Sequence, residues 1–254
     1  ELADLGFDGF EETETGLFSY IDSAKFGVEV TSGLANLASS HGATYTSKAI
    51  EKQNWNALWE SNFEPVLVDD FVGVRANFHA PFNGQVEHDI IITPKMSFGT
   101  GHHGTTYSVM QLMRGIDFKG QSVFDFGTGT GLLAILAHKL GAGDILAVDN
   151  DDWCIENALE NTHKNSSKSI IIKKVESAIQ TDHFDIILAN VNRHIIEANM
   201  LELTHAGKAG GQLVLSGLLI EDQVDMIHLA AQNGWNFLSQ KQRNGWISLL
   251  FNRP

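Results

Sequence analysis

Val123-Phe124-Asp125-Phe126-Gly127-Thr128-Gly129-Thr130-Gly131, followed by Leu132 to Leu140 and then Ala147-Val148-Asp149, is the stretch on which the reading of this chain turns. An apolar run ends in alternating glycines, a helical apolar segment follows, and a second apolar run ends in an acid. The order is strand, glycine turn, helix, strand, acidic tip: the front half of a nucleotide-binding α/β unit. The glycines let a ligand approach the backbone closely, and a helix beginning near Gly131 offers N–H groups without intrahelical partners. An acid at the tip of the next strand can accept two hydrogen bonds from a ribose diol.

Spacing decides between nucleotides. A dinucleotide fingerprint wants Gly-x-Gly-x-x-Gly. Here the glycines alternate, and the third position of that pattern is Leu132, which would crowd the close helix–strand contact a glycine permits. The alternating form, with an acid 22 residues after Gly127, resembles motif I of the class I methyltransferases, which bind S-adenosylmethionine. The competing interpretation is a tight βα turn with no ligand.

Outward from this stretch, composition sets bounds. At 254 residues the chain suits one large domain, or a medium and a small one. The single cysteine, Cys154, excludes an internal disulfide framework and fits a reducing, cytoplasmic compartment. No apolar run approaches the ~20 residues that span a bilayer. No charged-then-apolar signal segment opens the chain. It starts at Glu1, not Met, which leaves room for an upstream segment. A formal charge of −14 argues against sequence-independent nucleic-acid binding. It is compatible with a cationic ligand, a basic protein substrate or simple solubility.

The first sixty residues read as a small α/β unit. Leu2 to Leu5 looks like a helix tail stopped by Gly6. Gly9 to Glu14 and Leu17 to Ile21 read as two strands around a turn. A short helix is expected over Leu34 to Ser40 and a strand over Ala43 to Ile50. Asn54 to Asn62 reads as a helix with Trp55, Leu58, Trp59 and Phe63 on one apolar face. Pro65 breaks the pattern, and a connector with strands near Phe71–Ala76 and His88–Ile92 follows. Beyond it come a helix at Thr105–Met113 and strands at Ser122–Phe126, Ile145–Asp149, Ser169–Val175, Phe184–Ala189 and Gln212–Ser216. Helices lie between, at Leu132–Leu140, Asp152–His163, Ile195–His205 and Asp222–Asn233. Such alternation implies a parallel sheet wound on both faces. The chain ends differently: Asn244-Gly245 between two strand-like runs, Phe237–Arg243 and Trp246–Phe251, is a strong hairpin signal. A parallel sheet closed by an antiparallel hairpin resembles the class I methyltransferase topology.

A second motif precedes the glycine turn: Thr93-Pro94-Lys95-Met96-Ser97-Phe98-Gly99-Thr100-Gly101-His102-His103-Gly104-Thr105-Thr106. Its glycines and hydroxyls suit a loop packed on a ligand, and Thr105 and Thr106 suit either a helix cap or a ligand contact. The stretch closely resembles the Phe-Gly-Thr-Gly-x-His-x-Thr-Thr signature of the ribosomal large-subunit protein eleven (L11) methyltransferases. Leu188-Ala189-Asn190-Val191 resembles that family's fourth-strand motif, and Gly210-Gly211 with Leu215-Ser216-Gly217 its fifth strand. Trp55, Trp59 and Phe63-Glu64-Pro65 resemble its small-domain boundary. One departure is Gly104, where many members carry proline or an acid; it is expected to loosen the loop without abolishing binding.

The resemblance implies a seven-stranded, doubly wound α/β catalytic domain over 96–254, a connector over 63–95, and a small α+β, ferredoxin-like substrate-recognition domain over 1–62. The first strand of that small domain and part of its first helix would lie upstream of Glu1. It also implies S-adenosyl-L-methionine as cofactor, with contacts from Phe98, Thr105, Thr106, Gly127, Gly129, Asp149, Asn150 and Asn190. L11 is the implied protein substrate, with lysine side chains and the α-amino terminus as acceptors. Physical roles follow for each. Gly127 and Gly129 admit the methionine portion, and Asp149 binds the ribose or else caps the helix after it. Asn190, at a strand tip, orients the incoming amine or else is an ordinary turn residue. Asn192 and Arg193 border the acceptor entrance or are solvated loop residues. A strong carboxylate beside the acceptor would hold its proton on, so a neutral asparagine suits the task. His103 could relay a proton, but a loop-ordering histidine is the weightier alternative. His102 and His103 lack a third ligand at metal spacing, so no metal site is expected. Two other functions stay open: a methyltransferase of a nucleic-acid base or small molecule, and a non-catalytic nucleotide-binding module. The base-amine enzymes follow their Asn with Pro-Pro and an aromatic, whereas this chain has Val191-Asn192-Arg193.

Overall fold

The computed structural model describes residues 1–13, 16–49, 63–93, 95, 97–181 and 183–254. The chain divides into two compact units, residues 1–59 and 60–254.

In the smaller unit a single 3-10 turn, Ala3–Leu5, ends at Gly6, whose φ of 92° only glycine adopts freely. Strands β1 (Gly9–Thr13) and β2 (Gly16–Tyr20) pair antiparallel, with Phe10 opposite Ser19. Helix α1 runs over Val28–Ser40, a turn and a half earlier than the expected start at Leu34. The β-branched Val28, Val30 and Thr31 hid that start, because such residues are weak helix formers. The expected strand from Ala43 is not formed: residues 43–49 are irregular. Thr44, Tyr45 and Thr46 have the right side chains, yet strand propensity is realised only by pairing, and β1 and β2 pair with each other. Ile50 and the helix expected over Asn54–Asn62 lie outside the described residues.

The larger unit begins with a three-stranded sheet. Strand β3 (Val66–Val68) pairs antiparallel with β4 (Val72–Ala76), and β4 pairs parallel with β5 (His88–Ile92). Helix α2 (Gly104–Met113) follows. Then come β6 (Val123–Phe126), α3 (Leu132–Lys139), β7 (Ile145–Asp149), α4 (Asp152–Lys164), β8 (Ile171–Lys174) and β9 (Phe184–Asn190). The chain closes with α5 (Arg193–Ala206), β10 (Gly207–Leu219), α6 (Gln223–Gln232), β11 (Asn236–Arg243) and β12 (Trp246–Asn252). The seven-stranded sheet has the order β11-β12-β10-β9-β6-β7-β8. Strands β6 to β10 are mutually parallel, and β12 inserts antiparallel between β10 and β11. Asn244 and Gly245, both at positive φ, make the hairpin turn as expected.

Strand side chains alternate between two cores. Val123, Ile145, Ala147, Ile186, Leu188 and Val214 pack on one side with α2, α3 and the three-stranded sheet. Phe124, Val148, Ile187, Ala189, Leu213 and Leu215 pack on the other with α5 and α6. A sheet buried on both faces needs such uninterrupted apolar strands. Strand β6 is flanked by β9 on one side and β7 on the other, so the order reverses at its C-terminal end, where open α/β sheets leave a crevice. Among the described residues no helix is long and apolar enough to cross a membrane.

Candidate functional site

The glycine turn joins β6 to α3 in that crevice. Gly127, Gly129 and Gly131 have φ of 77°, 55° and 80°, values that side chains with a Cβ rarely adopt. Neighbouring protein also requires these glycines. A Cβ on Gly127 would lie 2.1 Å from Val191 Cγ1, and one on Gly129 would lie 2.4 Å from the Phe98 carbonyl oxygen. The turn is therefore pressed between the strand-tip loop after β9 and the loop that precedes α2. At its far end Gly131 starts α3, whose first N–H groups lack helical partners.

Asp149 ends β7 half-buried. Its Oδ2 accepts from the Gly129 amide at 2.9 Å and its Oδ1 from the Asp151 amide at 3.2 Å. A carboxylate has about four acceptor positions, so capacity remains for a diol. Asp149 is not the cap of α4; Asp151 holds that place, accepting from the Trp153 amide at 2.8 Å. Asn150 is exposed beside it.

Asn190 is the last residue of β9 and is buried. Its Nδ2 donates to Thr106 Oγ1 at 3.2 Å, while its Oδ1 is buried without a partner. An orphaned buried amide oxygen costs about 1–3 kcal/mol, which a ligand N–H would recover. Val191 behind it fits closely, because a Cβ on Gly217 (φ 86°) would meet the Val191 carbonyl oxygen at 2.1 Å. Arg193 is not a solvated loop residue: it opens α5 and is only partly exposed. It binds Glu197, Asp222 and Asp225 at 2.7–3.0 Å, anchoring the loop after Asn190.

The loop before α2 contributes the remaining wall. His103 caps α2: its Nδ1 lies 2.8 Å from Thr105 Oγ1 and accepts from the Thr105 amide at 3.4 Å. Thr105 and Thr106, read as either caps or ligand contacts, do not cap: they lie inside the helix and are fully buried. The His103 ring lies between Phe98, 5.1 Å away, and Trp246, 4.6 Å away. Burial pushes its pKa below the ordinary histidine value, so the ring is neutral at pH 7. Phe98 itself is half-exposed. Gly104 does not loosen this loop. A Cβ there would fall 2.6 Å from the Arg243 carbonyl oxygen, so the glycine lets the C-terminal hairpin close onto α2.

Two features escaped sequence reading. Asp125, inside the glycine motif, is 1% exposed. It accepts from Thr128 Oγ1 at 2.6 Å through Oδ2, and its Oδ1 lacks a partner. Burial, opposed by the Thr128 hydroxyl and reinforced by Asp149, pushes its pKa up to about 7. Three buried hydroxyls also link α2 to the sheet: Ser248 Oγ lies 2.6 Å from Ser108 Oγ and 2.7 Å from Ser216 Oγ. Ser216 is the register partner of Asn190. Polar residues in apolar segments were the available signal for both; the serines meet across 32 to 140 residues, and Asp125 is set apart by its burial. Among the described residues no group of His, Cys, Asp or Glu could hold a metal ion.

The residues fit an adenosine-containing sulfonium donor: a partly free acid at one strand tip, a glycine turn at the next, and an unpartnered amide oxygen at the third. Comparison with known proteins agrees. Residues 9–254 match the family model described as ribosomal protein L11 methyltransferase (PrmA). The chain is 38% identical to the ribosomal protein L11 methyltransferase of Porphyromonas gingivalis, over 99% of this chain and 88% of that protein. It is 31% identical to that of Chlorobaculum parvum, over 98% and 89%. A crystal structure of a ribosomal protein L11 methylase from Lactobacillus delbrueckii subsp. bulgaricus superposes with a TM-score of 0.67 at 27% identity, covering 75% of this chain and 99% of that one.

Proposed function

We infer the working of the site from one premise: this chain belongs to the ribosomal protein L11 methyltransferase family. It is an S-adenosylmethionine-dependent protein methyltransferase. The cofactor supplies an activated methyl group on a sulfonium, a good leaving group, so position and desolvation can provide most of the rate.

The protein's own residues divide the remaining work. Gly127, Gly129 and the start of α3 receive the methionine portion, and Asp149 receives the ribose. Phe98, Thr105, Thr106 and Asn150 border the donor. Asn190 takes the acceptor amine on its free Oδ1, and this buried, unpartnered atom carries the reading. The acceptors are lysine side chains and the α-amino terminus of L11. A lysine of pKa about 10.4 must lose its proton first, at a cost of about 4–5 kcal/mol at pH 7. A carboxylate at Asn190 would raise that cost by stabilising the ammonium; a neutral amide does not. His103, kept neutral by burial, adds no like charge beside the donor and remains available to pass a proton outward.

Residues 1–62 serve as the substrate-recognition domain, residues 63–95 as connector and residues 96–254 as catalytic domain. The net charge of −14 favours a basic protein over a nucleic acid as partner. The reaction is cytoplasmic, in keeping with the single cysteine. Incubation of L11 with S-adenosylmethionine and the enzyme, read by mass spectrometry, should show methyl increments on lysine and the amino terminus. Labelled methyl appearing on RNA while L11 stays unmodified would overturn the acceptor; failure of calorimetry to detect S-adenosylhomocysteine would overturn the donor.

A further inference from the structure

Helix α4 and its C-cap carry three asparagines at i, i+4 and i+8: Asn157 and Asn161 in the helix and Asn165 as the cap. That spacing sets them on one face of the helix. The face is not solvated, since Asn157 and Asn161 are fully buried. Asn165 Nδ2 donates to the Ile91 carbonyl at 2.6 Å, and its Oδ1 accepts from the Ile91 amide at 3.0 Å. Asn161 Oδ1 accepts from the Thr93 amide at 2.7 Å, and Asn161 Nδ2 donates to the Thr130 carbonyl at 2.9 Å and to Asn157 Oδ1 at 2.6 Å. Asn161 thus joins two backbone segments that are far apart in sequence: the exit of β5 and the glycine turn.

Thr130 completes the connection from the other side. Its amide donates to the Phe98 carbonyl at 3.0 Å and its Oγ1 to the Gly99 carbonyl at 2.7 Å. Thr93 and the Phe98–Gly99 step are therefore each fastened to the glycine turn, Thr93 through Asn161 and Phe98–Gly99 through Thr130. Glu160, next to Asn161, repeats the grip with charge. It accepts from Thr93 Oγ1 at 2.7 Å and from Lys95 Nζ at 2.6 Å.

We propose that Asn161 and Thr130 are positioning residues for the donor: they hold Thr93 and the Phe98–Gly99 step against the glycine turn as one preformed cradle, and neither needs to touch the donor. Buried amide groups that each satisfy two backbone partners fix a geometry that apolar packing would leave free to slide. The inference rests on the S-adenosylmethionine reading above. It predicts that loosening the buckle weakens donor binding, because part of the binding energy then goes into ordering the loop.

The test compares Asn161→Ser, Thr130→Val and Thr130→Ser by calorimetry with S-adenosylhomocysteine and by hydrogen exchange of loop 93–101. Thr130→Val removes only the hydroxyl, so it retains the fold if Asn161→Ser does not. The expected result is about a tenfold rise in Kd for Asn161→Ser and Thr130→Val, with Thr130→Ser near wild type; tenfold corresponds to about 1.4 kcal/mol. Exchange of the Thr93 and loop amides should quicken without donor and recover when it is saturating, and KM for the donor should rise more than kcat falls. Folded variants with wild-type Kd and unchanged loop exchange would overturn the proposal. Wild-type protein that does not bind S-adenosylhomocysteine would instead overturn the reading on which it rests.

Discussion

The donor side and the acceptor side of the crevice are satisfied to different degrees. On the donor side nearly every polar group is spoken for: Asp149 accepts from Gly129 and Asp151, Thr130 is bonded through amide, carbonyl and hydroxyl, and Asn161 closes the ring behind it. On the acceptor side Asn190 Oδ1 is buried with no partner, and below the turn so is Asp125 Oδ1. A fully paired region is rigid and stabilises the fold, whereas an unpaired buried atom destabilises it unless something arrives to pair with it. The difference teaches where binding is prepared in advance and where the protein carries a deficit that substrate removes.

The largest effect should come from breaking the deficit side. Asn190→Leu keeps the bulk and deletes both polar atoms; kcat should fall about 10²–10³-fold, the scale for loss of one aligned polar group in an active site. Donor Kd should change much less, as measured by calorimetry beside single-turnover kinetics. Equal losses in both would erase the distinction between the two sides. Breaking the satisfied side comes next. Asp149→Ala should weaken donor binding by about 1.5–3 kcal/mol, the scale for a hydrogen bond to a charged group. Part of that loss reflects the freed Gly129 amide, so melting temperature should drop as well; unchanged donor affinity would remove Asp149 from the ribose.

The smallest effect sharpens the comparison through pH. Asp125 has a folded pKa of about 7, raised above the ordinary carboxylate value. The folded state therefore holds a proton that the unfolded chain has released across the window from about 4 to 7. Stability from this group is full below that window and is lost as pH rises through 7. Asp125→Asn, which still accepts from Thr128, should flatten the fall in melting temperature between pH 5 and 8. A variant with the wild-type slope would show that Asp125 is ionised in the folded protein at neutral pH.

Legibility in the sequence followed the range of the interactions. The glycine turn, the Asn244-Gly245 hairpin and strand β7 were visible because each depends on neighbours in sequence. The start of α1 was obscured by Val28, Val30 and Thr31, whose helix propensity is weak. The strand expected from Ala43 showed the opposite failure: suitable residues without a pairing partner. In the site, Asn190 and Asp149 stood out as polar residues at strand ends. Asn161 and the Ser108–Ser248–Ser216 chain did not, because their meaning depends on atoms 31 to 140 residues away, and Asp125 did not, because its burial is set by the packing around it.

Gly104 shows the division most sharply. By sequence it reads as a departure that loosens a binding loop, and in the structure it is the point where the hairpin closes onto α2. Alternating glycines, apolar strands and the acid after them determined a nucleotide-type α/β crevice, because backbone conformation and hydrophobic periodicity are local properties of the chain. Which polar atoms are paired, which are left waiting, and which carboxyl keeps its proton were decided only in the tertiary structure. Burial and hydrogen-bond satisfaction depend on the groups that distant segments bring together.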